Sequence, residues 1–335
     1  MSDSAKNNDL PRLGFLGLGW IGLHRMQALL DEGACRVVAV ADPSAEARER
    51  VRERAPDAAL VATLDELLQH ELDGVVIATP SALHAQQSLA CLQRGLAVFC
   101  QKPMARTAAE NAAIVDAARQ ADRLLGCDLS YRHTEAMRRI RNCVVEGELG
   151  NVYAVDMVFH NAYGPDKSWA RDPQLAGGGC AIDLGIHLVD LALWTLGFPE
   201  VTGVTSRLYA HGKLLPANSG EVEDYAVAQL ELATGAVVRV ACSWNLSAGR
   251  DAVIEAHFHG AKAGAAMVNV NGSFYDFAAA RFNGTHRTPL ADPPDAWGGR
   301  AVVDWAKRLG AGARYDKSIE TIVQVAGVLD RIYGR

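Results

Sequence analysis

The sequence lacks long apolar runs without charge. No stretch of about 18 uncharged apolar residues occurs, so we expect no ordinary transmembrane helix and no membrane partner. The first ten residues, 1–10, are polar, which argues against a signal peptide and predicts a short disordered tail. Basic runs are absent too. The chain has 33 Lys and Arg against 39 Asp and Glu, a formal charge of −6, which argues against general nucleic-acid binding.

Cysteine is infrequent and odd in number. The seven cysteines form no Cys-x-x-Cys pair, and most of them, such as Cys91 and Cys100, have apolar neighbours in the sequence. Disulfide frameworks and zinc sites usually show paired spacings. The cysteine pattern therefore favours a reduced, cytoplasmic protein.

The length of the chain predicts two domains. It has 335 residues, and one hydrophobic core rarely serves more than about 250–300 residues. Hydrophobic residues make up 49% and charged residues 21%, which is ordinary for a folded globular protein.

Strand-like and helix-like segments alternate through the first part of the chain. Apolar runs at 13–16, 36–41, 75–78 and 96–100 indicate strands, and the segments between them have helical spacing. Such alternation predicts a parallel sheet with helices on both faces. We therefore predict an α/β domain over 10–127.

The pattern changes in the remainder of the chain. A long strand is predicted at 152–160 and a hairpin at 225–232 and 236–245, and the last segment, 317–333, has helical periodicity. We predict an α+β domain over 128–335 with an open, mostly antiparallel sheet. Whether the C-terminal helix packs back on the first domain stays open.

A glycine-rich motif lies between the first predicted strand and helix. The first glycine of such a motif permits a tight turn, the second lets a pyrophosphate approach the backbone, and the third lets helix and strand pack closely. The helix N-terminus then offers N–H groups and partial positive charge to the phosphates. The expected cofactor-binding residues of this turn are Gly17, Leu18, Gly19, Trp20, Ile21 and Gly22.

An acidic residue at the end of the second strand bears on the choice of cofactor. Asp42 follows Gly22 by 20 residues, where a carboxylate binds the adenosine ribose and repels a 2′-phosphate. This favours NAD over NADP. Arg48 lies a turn into the next helix, and we do not assign it to a 2′-phosphate.

Two further strands end in polar residues. Thr79-Pro80-Ser81 follows the strand at 75–78, and ligands bind at the carboxyl ends of strands in such sheets, although a purely structural turn is the alternative. Lys102 follows the strand at 96–100 and stands before Pro103, which favours an extended backbone at the lysine. We expect these residues on the ligand side of the sheet.

A second candidate site follows three glycines, at 177–179. Asp183 and His187 are four residues apart and share one face of a predicted apolar helix. An imidazole held there is suited to move a proton near neutral pH. A structural Asp–His pair is the alternative. A metal site that also uses Cys180 is a weaker one, because no second His/Cys cluster supports it, and we predict no metal.

Taken together, these motifs resemble the glucose–fructose oxidoreductase / inositol dehydrogenase (Gfo/Idh/MocA) family. The matching segments are Gly17-Leu-Gly19-Trp-Ile-Gly22, Val40-Ala-Asp42-Pro-Ser, Ala78-Thr-Pro-Ser-Ala-Leu-His84, Gln101-Lys102-Pro103 and Gly177-Gly-Gly-Cys-Ala-Ile-Asp183-Leu-Gly-Ile-His187. The resemblance covers nearly the whole chain. It implies a Rossmann domain followed by an open-sheet domain, which often forms a homodimer or homotetramer interface.

The resemblance also implies site residues. Lys102, Asp183 and His187 are expected around the reacting carbon, as catalytic and substrate-binding residues. Further cofactor contacts are expected from Thr79, Pro80, Ser81, His84, Gln101 and Lys102. Additional substrate-binding candidates are Tyr131, Arg132 and Trp169, followed by Arg171 and Asp172, and less strongly by His160 and Asn161.

The implied activity is an NAD-dependent oxidoreductase that acts on a secondary alcohol or ketone of a polyol, sugar or sugar derivative. His187 is the expected base, Lys102 stabilises the reacting oxygen and Asp183 orients both, although Lys102 and His187 could exchange roles. One alternative is an enzyme that recycles a tightly bound NAD(P), as a sugar–sugar oxidoreductase, epimerase or glycosidase does. Another is a nucleotide-binding regulator without turnover.

The chain departs from the family pattern before the lysine. Many members carry glutamate there, and this chain has Gln101. We expect Gln101→Glu to shift a limb of the turnover–pH profile upward through Lys102 and to leave the fold unaffected.

Overall fold

The computed structural model describes residues 10–216 and 219–335, so nearly all of the predicted N-terminal tail lies outside the described residues. The described chain divides into two units. The first unit comprises residues 10–105, 109–130 and 298–320. The second unit comprises residues 106–108, 131–297 and 321–335.

The first unit is built on a six-stranded parallel sheet, which confirms the predicted α/β class. The strand order is β3-β2-β1-β4-β5-β6. This order reverses between β1 and β4, and ligands bind at such a switch point. The strands are β1 (Arg12–Leu16), β2 (Arg36–Ala41), β3 (Ala59–Val61), β4 (Gly74–Ile77), β5 (Ala97–Cys100) and β6 (Leu125–Cys127). The helices are α1 (Trp20–Asp31), α2 (Ala45–Glu49), α3 (Leu64–Leu67), α4 (Ser81–Gln93), α5 (Ala108–Ala121) and α9 (Arg300–Gly310).

Three short elements of this unit have no counterpart in the sequence-based prediction, namely β3, α3 and the three-residue β6. β3 and α3 are three and four residues long, too short for a clear periodicity. Local capping nevertheless stabilises α3. The Thr63 hydroxyl accepts a hydrogen bond from the Glu66 N–H at 3.2 Å, and the Glu66 carboxylate accepts one from the Thr63 N–H at 3.1 Å.

The sequence left open whether the end of the chain returns to the first unit. The C-terminal helix belongs to the second unit, and it is α9 that joins the first. The ring of Trp305 on α9 is 3% exposed and lies 5.7 Å from the ring of Phe99. A Cβ added to Gly74 or Gly126 would lie 2.9 Å from the indole. These two strand glycines therefore leave the space that Trp305 fills.

The second unit is built on a nine-stranded, mostly antiparallel sheet, as predicted. The order is β15-β14-β13-β12-β7-β11-β10-β8-β9, and the β7–β11 pair is parallel. Along β10, alternate residues are buried, so the sheet has one covered face. The strands are β7 (Val152–Asn161), β8 (Val201–Ala210), β9 (Lys213–Leu214), β10 (Tyr225–Leu232), β11 (Val237–Ser243), β12 (Ala252–Gly260), β13 (Gly264–Asn269), β14 (Phe277–Asn283) and β15 (His286–Ala291). The helices are α6 (Glu135–Val145), α7 (Pro173–Ala176), α8 (Ile186–Thr195) and α10 (Thr321–Tyr333).

An apolar helical stretch forms the core of the second unit. A π-helical turn, Ala181–Gly185, leads directly into α8. By length and composition alone, the stretch Pro173–Thr195 could cross a membrane, but 89% of its most apolar window is buried inside the protein. Its apolar character is therefore accounted for by packing in the core.

A buried ionic network holds the ends of β5 and β6 in the first unit. The Arg25 Nε on α1 donates to Asp128 Oδ2 at 2.5 Å, and the Gln101 amide donates to the same oxygen. All three residues are buried, and Asp128 is 1% exposed. The expectation that Gln101→Glu would leave the fold unaffected therefore needs correction, because two carboxylates would meet away from water.

We predict that Gln101→Glu lowers the free energy of unfolding by roughly 1–3 kcal/mol, because a buried hydrogen bond is replaced by repulsion. The double variant Gln101→Glu/Asp128→Asn carries a single carboxylate opposite Arg25 and should recover most of this loss. Urea denaturation followed by tryptophan fluorescence measures both. An unchanged midpoint for the single variant would contradict the contribution of this network to stability.

Candidate active site

The glycine turn of the first unit has the geometry that its sequence predicts. Gly17 has φ +90°, and a Cβ there would lie 2.6 Å from the Ala78 carbonyl oxygen. A Cβ on Gly22 would lie 2.1 Å from the Gly17 oxygen, so the third glycine lets helix and strand approach. By contrast, a Cβ built on Gly19 would meet no atom within 4 Å from described residues other than its chain neighbours and its own helix backbone. The second glycine therefore presents open backbone to a ligand.

The start of α1 completes this cradle. Gly19 is the residue before the helix, and the first turn of α1, as described, contains no acidic residue to offset its partial positive charge. Trp20 is 65% exposed, whereas Leu18 is fully buried. The buried Leu18 side chain is thus withheld from a ligand. An open glycine beside a helix N-terminus whose described first turn carries no acidic residue fits a pyrophosphate.

Asp42 lies at the end of β2 beside this turn. Its Oδ2 accepts a hydrogen bond from the Leu18 N–H at 2.8 Å and its Oδ1 one from the Ser44 N–H at 2.9 Å. Each carboxylate oxygen has a further lone pair, so ribose hydroxyls can still be bound. The Arg48 guanidinium lies 2.5 Å from the Asp42 carbonyl oxygen. The Arg48 guanidinium therefore lies closer to Asp42 than the position of Arg48 in the sequence indicated.

The residues after β4 are connected by a buried histidine. The His84 ring nitrogens lie 2.7 Å from the Thr79 carbonyl oxygen and 2.8 Å from that of Pro103. Burial lowers the pKa of this imidazole. Ser81 is buried at the start of α4, whereas Pro80 is exposed. His84 thus links the turn at Thr79 to the segment that follows Lys102, and cofactor contact by these residues stays a prediction.

Lys102 occupies the bend directly after β5. It is half-buried, and the peptide bond between Lys102 and Pro103 is cis. The Gln101 N–H donates to the Ile77 carbonyl at 2.9 Å, which extends the pairing of β4 with β5 up to the lysine. Backbone pairing, together with the Asp128 contact of Gln101, fixes the chain immediately before Lys102.

Asp183 lies in the π-helical turn of the second unit. Its Oδ2 accepts a hydrogen bond from the indole N–H of Trp244 at 3.1 Å. Trp244 follows β11 and is 5% exposed. The sequence held no signal for this partner, which is 61 residues away. π-Helical turns within α-helices are frequent at functional sites.

His187 lies in the first turn of α8 and packs against aromatic rings. It is 6% exposed, and its ring centroid lies 4.7 Å from that of Tyr131 and 6.3 Å from that of Phe159. Tyr131 also contacts Phe277 and Trp297, at 5.8 and 4.9 Å. Burial raises the pKa of the Tyr131 hydroxyl. The cluster brings two predicted site residues, Tyr131 and His187, together and limits the movement of the imidazole.

Arg132 makes a structural ion pair. Its Nε and Nη2 donate to Asp190 at 2.8 and 2.5 Å, and its guanidinium lies over the rings of Trp194 and Phe198. Asp190 is 1% exposed. This bidentate pair uses two of the five guanidinium N–H groups, so a contact of Arg132 with substrate stays a prediction.

The other substrate candidates lie in the segment before the glycines. Trp169 is half-buried in a 3₁₀ turn, Arg171 is exposed, and the Asp172 carboxylate caps α7. His160 Nδ1 lies 2.8 Å from the Ser243 hydroxyl on the sheet. Among the described residues, no group of three His, Cys, Asp or Glu side chains is placed to hold a metal ion.

Cys180 packs against Cys242 rather than forming a ligand set. The two sulfurs lie 4.0 Å apart, both residues are buried, and burial raises the pKa of the Cys180 thiol. All seven cysteines are free thiols.

Comparison with solved structures supports the fold. Levoglucosan dehydrogenase in complex with NADH and L-sorbose is 22% identical, with a TM-score of 0.80 over 96% of this chain and 95% of that one. KijD10, a 3-ketoreductase from Actinomadura kijaniata in complex with NADP and TDP-benzene, is 19% identical, with a TM-score of 0.81 over 96% and 97%.

Sequence comparison identifies the family. The D-glucoside 3-dehydrogenase of Escherichia coli (strain K12) is 29% identical over 212 residues, and this match spans 60% of each chain. Residues 12–129 match the model described as oxidoreductase family, NAD-binding Rossmann fold, and residues 137–266 match that of the GFO/IDH/MocA C-terminal domain. The two models account for most of the chain, which therefore belongs to the Gfo/Idh/MocA family of oxidoreductases.

Proposed function

We propose that this protein is an NAD-dependent dehydrogenase that transfers a hydride between nicotinamide and a secondary alcohol or ketone of a sugar, polyol or sugar derivative. The observation that carries the proposal is the turn at Gly17, Gly19 and Gly22, whose open backbone beside a helix N-terminus fits a dinucleotide. The substrate class is supported by the carbohydrate-related names of the compared proteins.

The proposed chemistry assigns one role to each of three side chains. Bound NAD supplies the hydride acceptor. His187 removes the hydroxyl proton as general base, a contribution of roughly 10²–10⁴-fold. Lys102 donates a hydrogen bond to the same oxygen and stabilises its developing negative charge. Asp183, held by Trp244, orients these groups. The aromatic packing of His187 supports this assignment because a fixed imidazole loses little entropy on reaction.

We predict that His187→Phe lowers kcat by at least about 10²-fold and leaves the Kd of NAD nearly unchanged. The substitution keeps a ring in the aromatic cluster but removes the proton acceptor. Steady-state kinetics on a panel of sugars and polyols, with NAD titration by tryptophan fluorescence, measures both. His286→Phe, on exposed β15, is the matched control. Turnover near that of the wild type would assign His187 to structure.

We also propose NAD rather than NADP as the cofactor. The negative charge of Asp42 next to the glycine turn supports this preference, because a 2′-phosphate would approach that carboxylate. Arg48 acts in the opposite sense, since its guanidinium contacts the Asp42 carbonyl. The preference is therefore a balance between a carboxylate and a neighbouring cation.

We predict that NAD binds at least about tenfold more tightly than NADP, a difference of about 1.4 kcal/mol. Asp42→Ala should reduce this ratio by weakening NAD and relieving the repulsion of NADP. The exposed Asp57→Ala, in the same unit, is the control and should keep the ratio. Fluorescence titration of both cofactors provides the values. Equal affinities in the wild-type protein would refute the role of Asp42.

Finally, we propose that the protein is a cytoplasmic homodimer or homotetramer assembled through the second-unit sheet. Val227, Ala241 and Val158 stand side by side on adjacent strands, and Val227 is 39% exposed. A partly exposed apolar row on one face of a sheet favours association. The seven free thiols support a reducing compartment.

We predict a mass in solution of at least twice the 35.9 kDa of one chain. Val227→Glu places a charge on the apolar row and should shift the protein toward monomer, whereas Val145→Glu, at a helix position that is 66% exposed, should not. Light scattering at micromolar concentration measures the mass. A monomeric wild-type protein would contradict the assembly.

A further inference from the structure

The proposed chemistry leaves the three consecutive glycines unexplained. They precede the turn that carries Asp183, and the structure shows what fills the space beside them. A Cβ on Gly179 would lie 2.0 Å from the Glu223 carbonyl oxygen. A Cβ on Gly178 would lie 2.1 Å from the Tyr333 hydroxyl oxygen. Neither distance is possible between real atoms, so these glycines make room for Glu223 and Tyr333.

The Glu223 carboxylate is a buried hydrogen-bond acceptor. Glu223 is 2% exposed. It accepts hydrogen bonds from the Gly179 N–H at 3.0 Å, from the Ala181 N–H at 2.9 Å and from the Tyr333 hydroxyl at 2.7 Å. A buried carboxylate is tolerated only with such donors, and hydrogen bonds to a charged group are the stronger kind.

Two more contacts complete the set. The Cys180 N–H donates to the Glu223 carbonyl at 3.1 Å, and the Ile182 N–H donates to the Tyr333 hydroxyl oxygen at 3.1 Å. The four successive N–H groups at positions 179–182 therefore all donate to Glu223 or Tyr333. The first N–H groups of a helical segment have no partner within the helix, and a negative charge stabilises this end.

The two partners come from distant parts of the second unit. Glu223 lies just before β10, 42 residues after Ala181, and Tyr333 lies on α10, 151 residues after Ile182. The start of the helical segment is thus tied to both the sheet and the C-terminal helix. Asp183 follows at once, and its own N–H donates to the Gly179 carbonyl at 3.0 Å.

We propose that Glu223 and Tyr333 are positioning residues for the reaction: together they anchor the start of the segment that carries Asp183 and His187. The proposal rests on the proposed function, in which those two side chains act on the substrate. Glu223 and Tyr333 act through the backbone at 179–182. Small displacements of reacting groups cost large factors in rate, so release of the anchor lowers kcat without changing the cofactor turn of the first unit.

A neighbouring cavity makes the anchor testable by hydrogen exchange. The cavity measures about 430 Å³, and its lining includes Gly177, Gly178, Glu223 and Tyr333. The cavity therefore borders both acceptor residues of the anchored N–H groups. When the Tyr333 hydroxyl is removed, the Ile182 N–H loses its acceptor. The Glu223 carboxylate, which accepts from other amides of this segment, loses one of its own hydrogen bonds and is held less firmly. Exchange of the amides at 179–182 should therefore accelerate.

Tyr333→Phe is the primary variant. We expect amide exchange at 179–182 to accelerate at least about tenfold and kcat to fall at least about tenfold, with the Kd of NAD unchanged. Tyr315→Phe is the matched control, because that hydroxyl donates to Glu320 at the same 2.7 Å within the first unit. It should leave both exchange at 179–182 and kcat at wild-type values.

Glu223 variants provide a graded series. Glu223→Gln keeps the size of the side chain and one good acceptor, so it should retain more activity than Glu223→Ala. If Glu223 merely stabilises the fold, Glu223→Ala should lower the unfolding midpoint more than Glu223→Gln does, and kcat of the folded enzyme should be unchanged in both. Measuring kcat well below the midpoint of each variant separates the two roles.

The pH profile gives an independent readout. Burial raises the pKa of the Glu223 carboxyl, whereas the N–H of Ala181 and the Tyr333 hydroxyl lower it. The Cys180 thiol lies near Glu223, and the Arg335 guanidinium lies 4.7 Å from the Tyr333 ring centroid. Arg207 and Glu221 line the same cavity as Glu223 and Tyr333. Loss of the Tyr333 hydroxyl raises this pKa further, so Glu223 takes up a proton at higher pH. The acidic limb of kcat in Tyr333→Phe should therefore move to higher pH.

The outcomes separate this proposal from the function on which it rests. Accelerated exchange together with reduced kcat supports the anchor. Accelerated exchange with wild-type kcat, or unchanged exchange, overturns the positioning role. Full turnover in His187→Phe would instead contradict the proposed function. The exchange rates at 179–182 test the anchor independently of that result.

Discussion

One buried negative charge, that of Asp128, constrains the ligand edge of the first unit. It pairs with Arg25 on the helix that follows the glycine turn and with Gln101 at the end of β5. Its second carboxylate oxygen has no hydrogen-bond partner among the described residues. A buried ion that loses its partner costs several kcal/mol, so this charge holds α1, β5 and β6 in one arrangement and thereby fixes the backbone that leads to Lys102.

In the second unit, the buried carboxylate of Glu223 has a similar role. Its carboxylate and the Tyr333 hydroxyl receive N–H groups that a helical start would otherwise leave without partners. In each unit a buried carboxylate joins segments that are distant in sequence, and in each the joined segment precedes a residue with an assigned chemical role. Because a buried carboxylate must keep its hydrogen-bond partners, it fixes the position of the backbone segments to which those partners belong.

The sequence predicts those parts of the site whose requirements are local. Three glycines within six residues, between a strand and a helix, permit one turn geometry, and the structure reproduces it at Gly17, Gly19 and Gly22. Alternating strands and helices likewise predicted the parallel sheet, and the strand at 152–160 with the hairpin at 225–232 and 236–245 predicted the second sheet. In each case the physical constraint acts over a few neighbouring residues, so it leaves a readable pattern.

Partners that fold together across long separations leave no such pattern. Gln101 meets Asp128 across 27 residues, and Asp183 meets Trp244 across 61. The glutamine at 101 illustrates the consequence. The sequence alone places a neutral amide before Lys102, yet a carboxylate lies in contact with the Gln101 amide. The charge next to Lys102 depends on positions 101 and 128 together. The effect of a substitution at one of these positions therefore depends on the residue at the other.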